Sequence, residues 1–239
     1  MANKKVLWTC GDSFTEGFPG MLNGKLHPEF KNPTSPYEKY VLEYSQKENL
    51  ASYTELVSEA LEMDLVNSGF GGSSNDAIFH QFVSVMEKIS PGDLVIVGWS
   101  DNSRYRLADK NNRLFSILLT GLEIDILDNV SMNTLKEIFF NRSATAYHQD
   151  VINYIKVIDT YCKSIGANTL HWSWLDQSYG QKRLGTDAIT LELMNLLMPY
   201  KKRSTISEET ENKIQDFHYG KIGHEQLAQD IIDYIKSDR

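Results

Sequence analysis

Cysteine is scarce: the 239-residue chain has two, Cys10 at the end of an apolar run and Cys162 on the apolar face of a helical pattern. So few, so differently placed, exclude a disulfide framework or a zinc site, and both read as reduced core residues. Long hydrophobic runs are missing as well. None approaches the roughly 18 residues that span a bilayer, so no membrane insertion is expected. The start, MANKK followed at once by a short strand-like run, lacks the apolar segment of about 7 to 15 residues that marks a secretory signal, and cytoplasmic residence is the expectation. Nor is there a basic excess. With 24 Lys and Arg against 32 Asp and Glu the formal charge is −8, so the average surface repels phosphate backbones and nucleic acid is not an expected partner. Apart from the run Lys201, Lys202 and Arg203, which reads as a solvated loop, the basic residues are scattered. No Pro/Gly/Ser-rich linker, internal repeat or low-complexity stretch divides the chain, so residues 1–239 read as one domain, with a homo-oligomer left open.

What the chain does have is alternation. Short apolar runs of the kind that form buried parallel strands occur at Val6 to Cys10, Asp64 to Asn67, Asp93 to Trp99 and Ala167 to Trp174. Helical patterns separate them, at Tyr53 to Met63, Asn75 to Ile89 and Ser143 to Ile165. A final helix begins near Gly223, with Leu227, Ala228, Ile231, Ile232 and Ile235 on one stripe. Strands and helices in alternation, joined by right-handed crossovers, predict an α/β fold: a three-layer α/β/α sandwich around a mostly parallel sheet of about four or five strands. Three stretches stand outside the pattern, at about 18–40, 105–140 and 175–213. Each follows the carboxyl end of a predicted strand, where it would serve as lid, pocket wall or oligomer contact. The middle one is apolar from Leu114 to Leu127 and allows an acyl-chain pocket.

The residues able to carry chemistry fall at the same strand ends. GDSFTEG, residues 11–17, directly follows the first strand and places Ser13 at a carboxyl edge, where open α/β sheets keep their active sites. A serine nucleophile needs a base, the base needs an orienting group, and the developing oxyanion needs preorganised donors. NSGFGGSSN, residues 67–75, is a glycine-rich turn opening a helix. Its Gly72 N–H can approach a substrate oxygen closely, although a tight strand-to-helix turn alone would also explain these glycines. It matches neither GxGxxG nor GxxxxGK[ST], so a nucleotide-binding loop ranks low. GWSDNSR, residues 98–104, sets Ser100, Asp101, Asn102 and Arg104 at that edge. Ser100 and Asn102 read either as turn residues or as oxyanion donors, and Arg104 as an anion clamp or a surface ion pair. DFHYGKIGH, residues 216–224, puts Asp216 and His218 before the last helix, with a carboxylate close enough in sequence to hold an imidazole. His224 is a competitor, expected inside the helix's first turn. The other histidines have no comparable partner, and no cluster has metal-ligand spacing.

Taken in order, these four segments resemble the blocks of the SGNH, or GDSL, hydrolase superfamily, across nearly the whole chain. The resemblance implies a flavodoxin-like α/β/α fold and ester hydrolysis through an acyl-serine intermediate, with no metal or organic cofactor. It implies Ser13 as nucleophile, His218 as base and Asp216 as its orienting carboxylate. The oxyanion donors would be the Ser13 and Gly72 N–H groups, assisted by Ser100 or Asn102. Asp12, Asn75, Trp99 and Arg104 are the expected substrate contacts. Two departures stand out: the third block, normally GxND, is GWSD, with Ser100 at the asparagine position, and the last, normally DxxH, has one residue fewer. Such variants are similar to bacterial and bacteriophage members of the superfamily. The expected substrate is a small-molecule or carbohydrate ester. An O-acetyl group on a sugar is favoured by Trp99, Trp172, Trp174 and Tyr219 near strand ends, whose rings would stack on sugars or pack in the core. A lipid or thioester hydrolase, and a non-catalytic binding or structural protein of the same fold, remain alternatives.

Overall fold

The computed structural model describes residues 4–17, 21–22, 25–26, 36–100, 104–108, 114–118, 144–174, 188–199, 201–210 and 218–237. Strand β1 (Val6–Cys10) leads into a one-turn helix α1 (Ser13–Glu16) and a small antiparallel pair, β2 (Met21–Leu22) and β3 (Lys25–Leu26). Helices α2 (Pro36–Glu48) and α3 (Tyr53–Ala60) precede β4 (Asp64–Asn67), and α4 (Asn75–Val85), extended by a 3-10 turn at Met86–Lys88, precedes β5 (Leu94–Trp99). An antiparallel hairpin, β6 (Arg104–Ala108) and β7 (Leu114–Leu118), lies in the expected second insertion. Then come α5 (Ala144–Ile165), β8 (Asn168–Ser173), α6 (Ala188–Leu196), α7 (Ile206–Thr210) and α8 (Lys221–Ser237).

The main sheet has four strands in the order β4-β1-β5-β8, all parallel. The α/β reading and each of its strands therefore hold, to within a residue at the ends. Two-residue periodicity divides the sheet's side chains between two cores. Leu7, Leu94, Ile96, Leu170 and Trp172 pack with Tyr53 and Val57 of α3 and Leu227 and Ile231 of α8. Trp8, Cys10, Val95, Val97 and Trp99 pack with Ile78 and Phe82 of α4 and Ile155, Ile158 and Cys162 of α5. Each fully buried Leu, Ile or Val stabilises the fold by about 1.5–3 kcal/mol relative to exposure. Both cysteines are buried free thiols, and desolvation raises each to about 12, which leaves them inert. At the opposite edge of the sheet, the buried Asp93 carboxylate accepts from Val6 N, Trp8 Nε1 and Ser90 N, fixing the start of β1 beside β5. No helix among the described residues is long and apolar enough to cross a membrane.

One helix was not expected from the sequence, and one expectation is corrected. Helix α2 occupies the end of the expected insertion at 18–40 and the residues after it. Its Tyr40 and Tyr44 pack on Leu50 and Ile206, a short apolar stripe in an otherwise polar segment. The Lys201–Arg203 run is not simply solvated. Arg203 is 3% exposed and pairs with Asp230 of α8 at 2.7 Å, while Lys201 reaches the same carboxylate and Lys202 reaches Glu208.

Helices α3 and α8 are joined by His224, which lies in the first turn of α8 as expected. Its buried Nδ1 accepts the Tyr53 N–H at 3.2 Å, and its Nε2 has no hydrogen-bond partner among the described residues. Burial, and secondarily the charge of His218, pushes its pKa down to about 3, so the folded protein holds this ring neutral. The unfolded chain takes up a proton there below about pH 6.5, so this group makes stability rise with pH between about 3 and 6.5, by up to about 1.4 kcal/mol per pH unit. His224→Gln, which keeps an acceptor for Tyr53 N–H, is expected to flatten that slope in urea unfolding measured across the window. An unchanged slope would refute the assignment.

Candidate active site

The site begins where β1 ends. Gly11 leaves the strand, and Asp12 caps α1 by accepting the Phe14 N–H, which turns Ser13 sharply out of the sheet. The turn admits little else. A Cβ on Gly11 would stand 2.0 Å from Thr15 Oγ1, and one on Gly98 would stand 2.6 Å from the same atom. Thr15 fills that slot and shares a hydrogen bond with Tyr53 Oη, which in turn accepts from Trp172 Nε1. Ser13 is buried, at 5% exposure.

Opposite it stands His218, which precedes α8. Its Nε2 lies 3.1 Å from Ser13 Oγ, across 205 residues of sequence. The imidazole is steadied by Phe14, whose ring centroid is 5.4 Å from it, and Phe14 packs in turn on Trp174 and Tyr219. Asp216 lies outside the described residues.

The glycine-rich loop after β4 folds over the serine turn. Phe70 N donates to Gly11 O, Gly69 N to Asn67 Oδ1 and Gly71 N to Glu16 Oε2. A Cβ on Gly71 would come 3.8 Å from Ser13 Cβ, so the loop backbone lies directly against the hydroxyl-bearing residue. Gly72 has φ +76 and open space where its side chain would be, a conformation that favours glycine. Phe70 is 61% exposed. Sequence reasoning missed it, and the available signal was an aromatic residue set between glycines at a strand end.

Other expected contacts move inward. Asp12 is 1% exposed, and its Oδ2 accepts from both Ser100 Oγ at 3.0 Å and Trp174 Nε1 at 2.9 Å. Buried and met by donors of the protein itself, it is a structural hub. Ser100 reaches the site, but its one hydroxyl proton is given to that carboxylate. Asn75 spends both ends of its amide on the Ser100 backbone, Oδ1 accepting from N at 2.8 Å and Nδ2 donating to O at 3.1 Å. Trp99 is 2% exposed and packs on Tyr154 and His171, so its ring cannot stack on a ligand. Trp172 and Tyr219 are buried as well, and Trp174 is half-buried. Asn102 lies outside the described residues, and Arg104 opens β6. No group of three or more potential metal ligands occurs among the described residues.

No family model matches the chain, and neither does any curated protein. Solved structures do. A carbohydrate esterase whose active site has divergent catalytic and non-catalytic binding functions matches 99% of this chain and 66% of its own, with TM-score 0.51 and 13% identity. An acetyl xylan esterase from the rumen bacterium Butyrivibrio proteoclasticus matches 100% of this chain and 65% of its own, with TM-score 0.48 and 13% identity. A member of the lipolytic G-D-S-L family from Veillonella parvula matches 97% and 98%, with TM-score 0.46 and 10% identity. At these identities the likeness is one of fold.

Replacing Asp12 by Asn leaves one acceptor oxygen for three donors and turns an N–H₂ toward one of them. Asp12→Asn is therefore expected to lower the unfolding free energy by about 1–3 kcal/mol in urea titration.

Proposed function

We propose that this chain, which has the fold of the SGNH/GDSL hydrolases, is a serine esterase. The observation that carries the reading is the 3.1 Å approach of His218 Nε2 to Ser13 Oγ at the carboxyl edge of a parallel sheet. With Nε2 unprotonated, the imidazole takes the Ser13 proton as Oγ attacks the ester carbonyl. It then returns that proton to the departing alcohol, leaving an acyl-serine. Water, deprotonated by the same nitrogen, releases the acid. Asp216, two residues before His218, is the proposed orienting carboxylate for Nδ1.

The oxyanion donors in this reading are the backbone N–H groups of Ser13 and Gly72. Glycine at 72 holds the left-handed backbone, φ +76, that sets the direction of that amide. The Ser100 hydroxyl adds nothing there while it donates to Asp12, so among the described residues the proposed hole has two donors, and a third would be worth about 10² to 10³ in turnover. That same engagement of Ser100 favours the rival reading, a non-catalytic binder of the same fold. Hydrolysis of p-nitrophenyl acetate by the unaltered chain, lost by about 10⁴-fold or more in Ser13→Ala, is expected. Labelling by a fluorophosphonate at Ser13 is expected as well. The absence of serine-dependent release and of labelling would decide for the binder.

For the substrate we propose an O-acetyl group on a carbohydrate, with Phe70 as the stacking ring. It is an exposed aromatic on the glycine loop that bonds the serine turn at Gly11, and the fold likeness to a carbohydrate esterase supports the same class. Phe70→Ala is expected to raise KM for an acetylated sugar by about fivefold, the equivalent of ~1 kcal/mol of ring contact. Turnover of the small ester p-nitrophenyl acetate should change by less than twofold. A lipid or thioester hydrolase would instead show its largest loss on long acyl chains.

A further inference from the structure

Helix α4 carries a glutamine whose three hydrogen bonds all end at the two loops that border Ser13. Gln81 Oε1 accepts the Gly11 N–H at 2.8 Å, and Nε2 donates to Gly11 O at 3.0 Å and to Ser73 Oγ at 3.1 Å. The polarity of the partners fixes the amide orientation, because the Gly11 N–H can only donate and its carbonyl can only accept. Gly11 stands just past the end of β1, where the parallel ladder runs out. The glutamine amide there takes the place of a neighbouring strand's peptide group. Gly11 is two residues before Ser13, and Ser73 directly follows Gly72.

We infer that Gln81 is a positioning residue for the oxyanion hole: by tying Gly11 to Ser73 it sets the distance between the Ser13 and Gly72 N–H groups. This inference rests on the esterase reading. The only backbone bond from the glycine loop to Gly11 among the described residues is Phe70 N to Gly11 O, on the side of the loop away from Gly72. The Gly71 N–H to Glu16 Oε2 bond holds the loop just before Gly72; without Gln81 the loop just after Gly72 loses its link to Gly11, and donors displaced by a fraction of an ångström stabilise a transition state poorly. A group that sets donor spacing acts on the tetrahedral state and leaves ground-state binding and the pH-profile midpoint alone.

The test compares the unaltered chain, Ser13→Ala, Gln81→Leu and Gln81→Glu on p-nitrophenyl acetate, with inhibition by an aryl trifluoromethyl ketone, which forms an anionic hemiketal on the serine. For Gln81→Leu, kcat is expected to fall about tenfold to a hundredfold, with KM within threefold and the pH-profile midpoint unchanged. The ketone's inhibition constant should rise by the same factor as kcat falls. Gln81→Glu keeps the acceptor for Gly11 N–H and loses both donors, so an intermediate loss is expected. It carries the test alone if Gln81→Leu does not fold by circular dichroism. An unchanged kcat, a change confined to KM, or a shifted pH midpoint overturns the role. Absence of Ser13-dependent turnover in the unaltered chain overturns the esterase reading and this inference with it, whereas Ser13-dependent turnover indifferent to Gln81 overturns this inference alone.

Discussion

A carboxylate taken out of water must be met by donors, and Asp12 meets that demand with groups from three separate strand ends. Phe14 N–H comes from the turn after β1, the Ser100 hydroxyl from the end of β5, and the Trp174 indole from the end of β8. Each of those donors would be left short without the carboxylate, and the charge would be costly without any one of them. The result is a fixed relation between β1, β5 and β8 at the edge where Ser13 stands. The rest of the site inherits its geometry from that relation.

Helix α4 extends the same logic with neutral amides. Asn75, in its first turn, holds the backbone of Ser100, and Gln81, further along, holds Gly11 and Ser73. One rigid helix thus grips the ends of β1 and β5 and the glycine loop after β4. The opposite layer delivers the histidine. There α8 is held to α3 by the neutral His224, and its lead-in packs Tyr219 on Phe14, the residue that follows Ser13. A hydroxyl and an imidazole distant in sequence meet because each layer of the sandwich is locked to the same serine turn.

The strands were legible because buried parallel strands need continuous apolar runs and each run here is bounded by Gly, Asn, Asp or Pro. The approach of Ser13 and His218 was legible as a pairing because strand ends in such sheets collect reactive groups. The inward turn of three expected contacts has one cause. Trp99, Asp12 and Asn75 were read as substrate contacts from their nearness in sequence to those groups, yet whether a side chain beside a reactive residue faces outward or inward depends on partners far along the chain. Asp12 faces inward because Ser100 and Trp174 offer it protons, and Trp99 because the fold brings Tyr154 and His171 against it. Gln81 gave no signal at all, since a polar residue in an amphipathic helix looks the same whether it meets water or the end of a strand. Arg203 misled in the same way: a basic run resembles a solvated loop until an acidic partner on another helix is known.

The serine at position 100 follows from this arrangement. An asparagine there would have a longer, neutral side chain able to extend past Asp12 toward the substrate. A serine is too short for that and places its single proton on the buried carboxylate instead. The exchange strengthens the hub, since a hydrogen bond to a charged acceptor contributes about 1.5–3 kcal/mol against about 1 for a neutral pair. Among the described residues it also leaves oxyanion stabilisation in the proposed mechanism to backbone amides. Backbone donors cannot adapt by changing rotamer, so their worth depends entirely on how rigidly the two loops are spaced. A site built this way places greater demands on the glutamine clamp of α4 than one with a side-chain donor would.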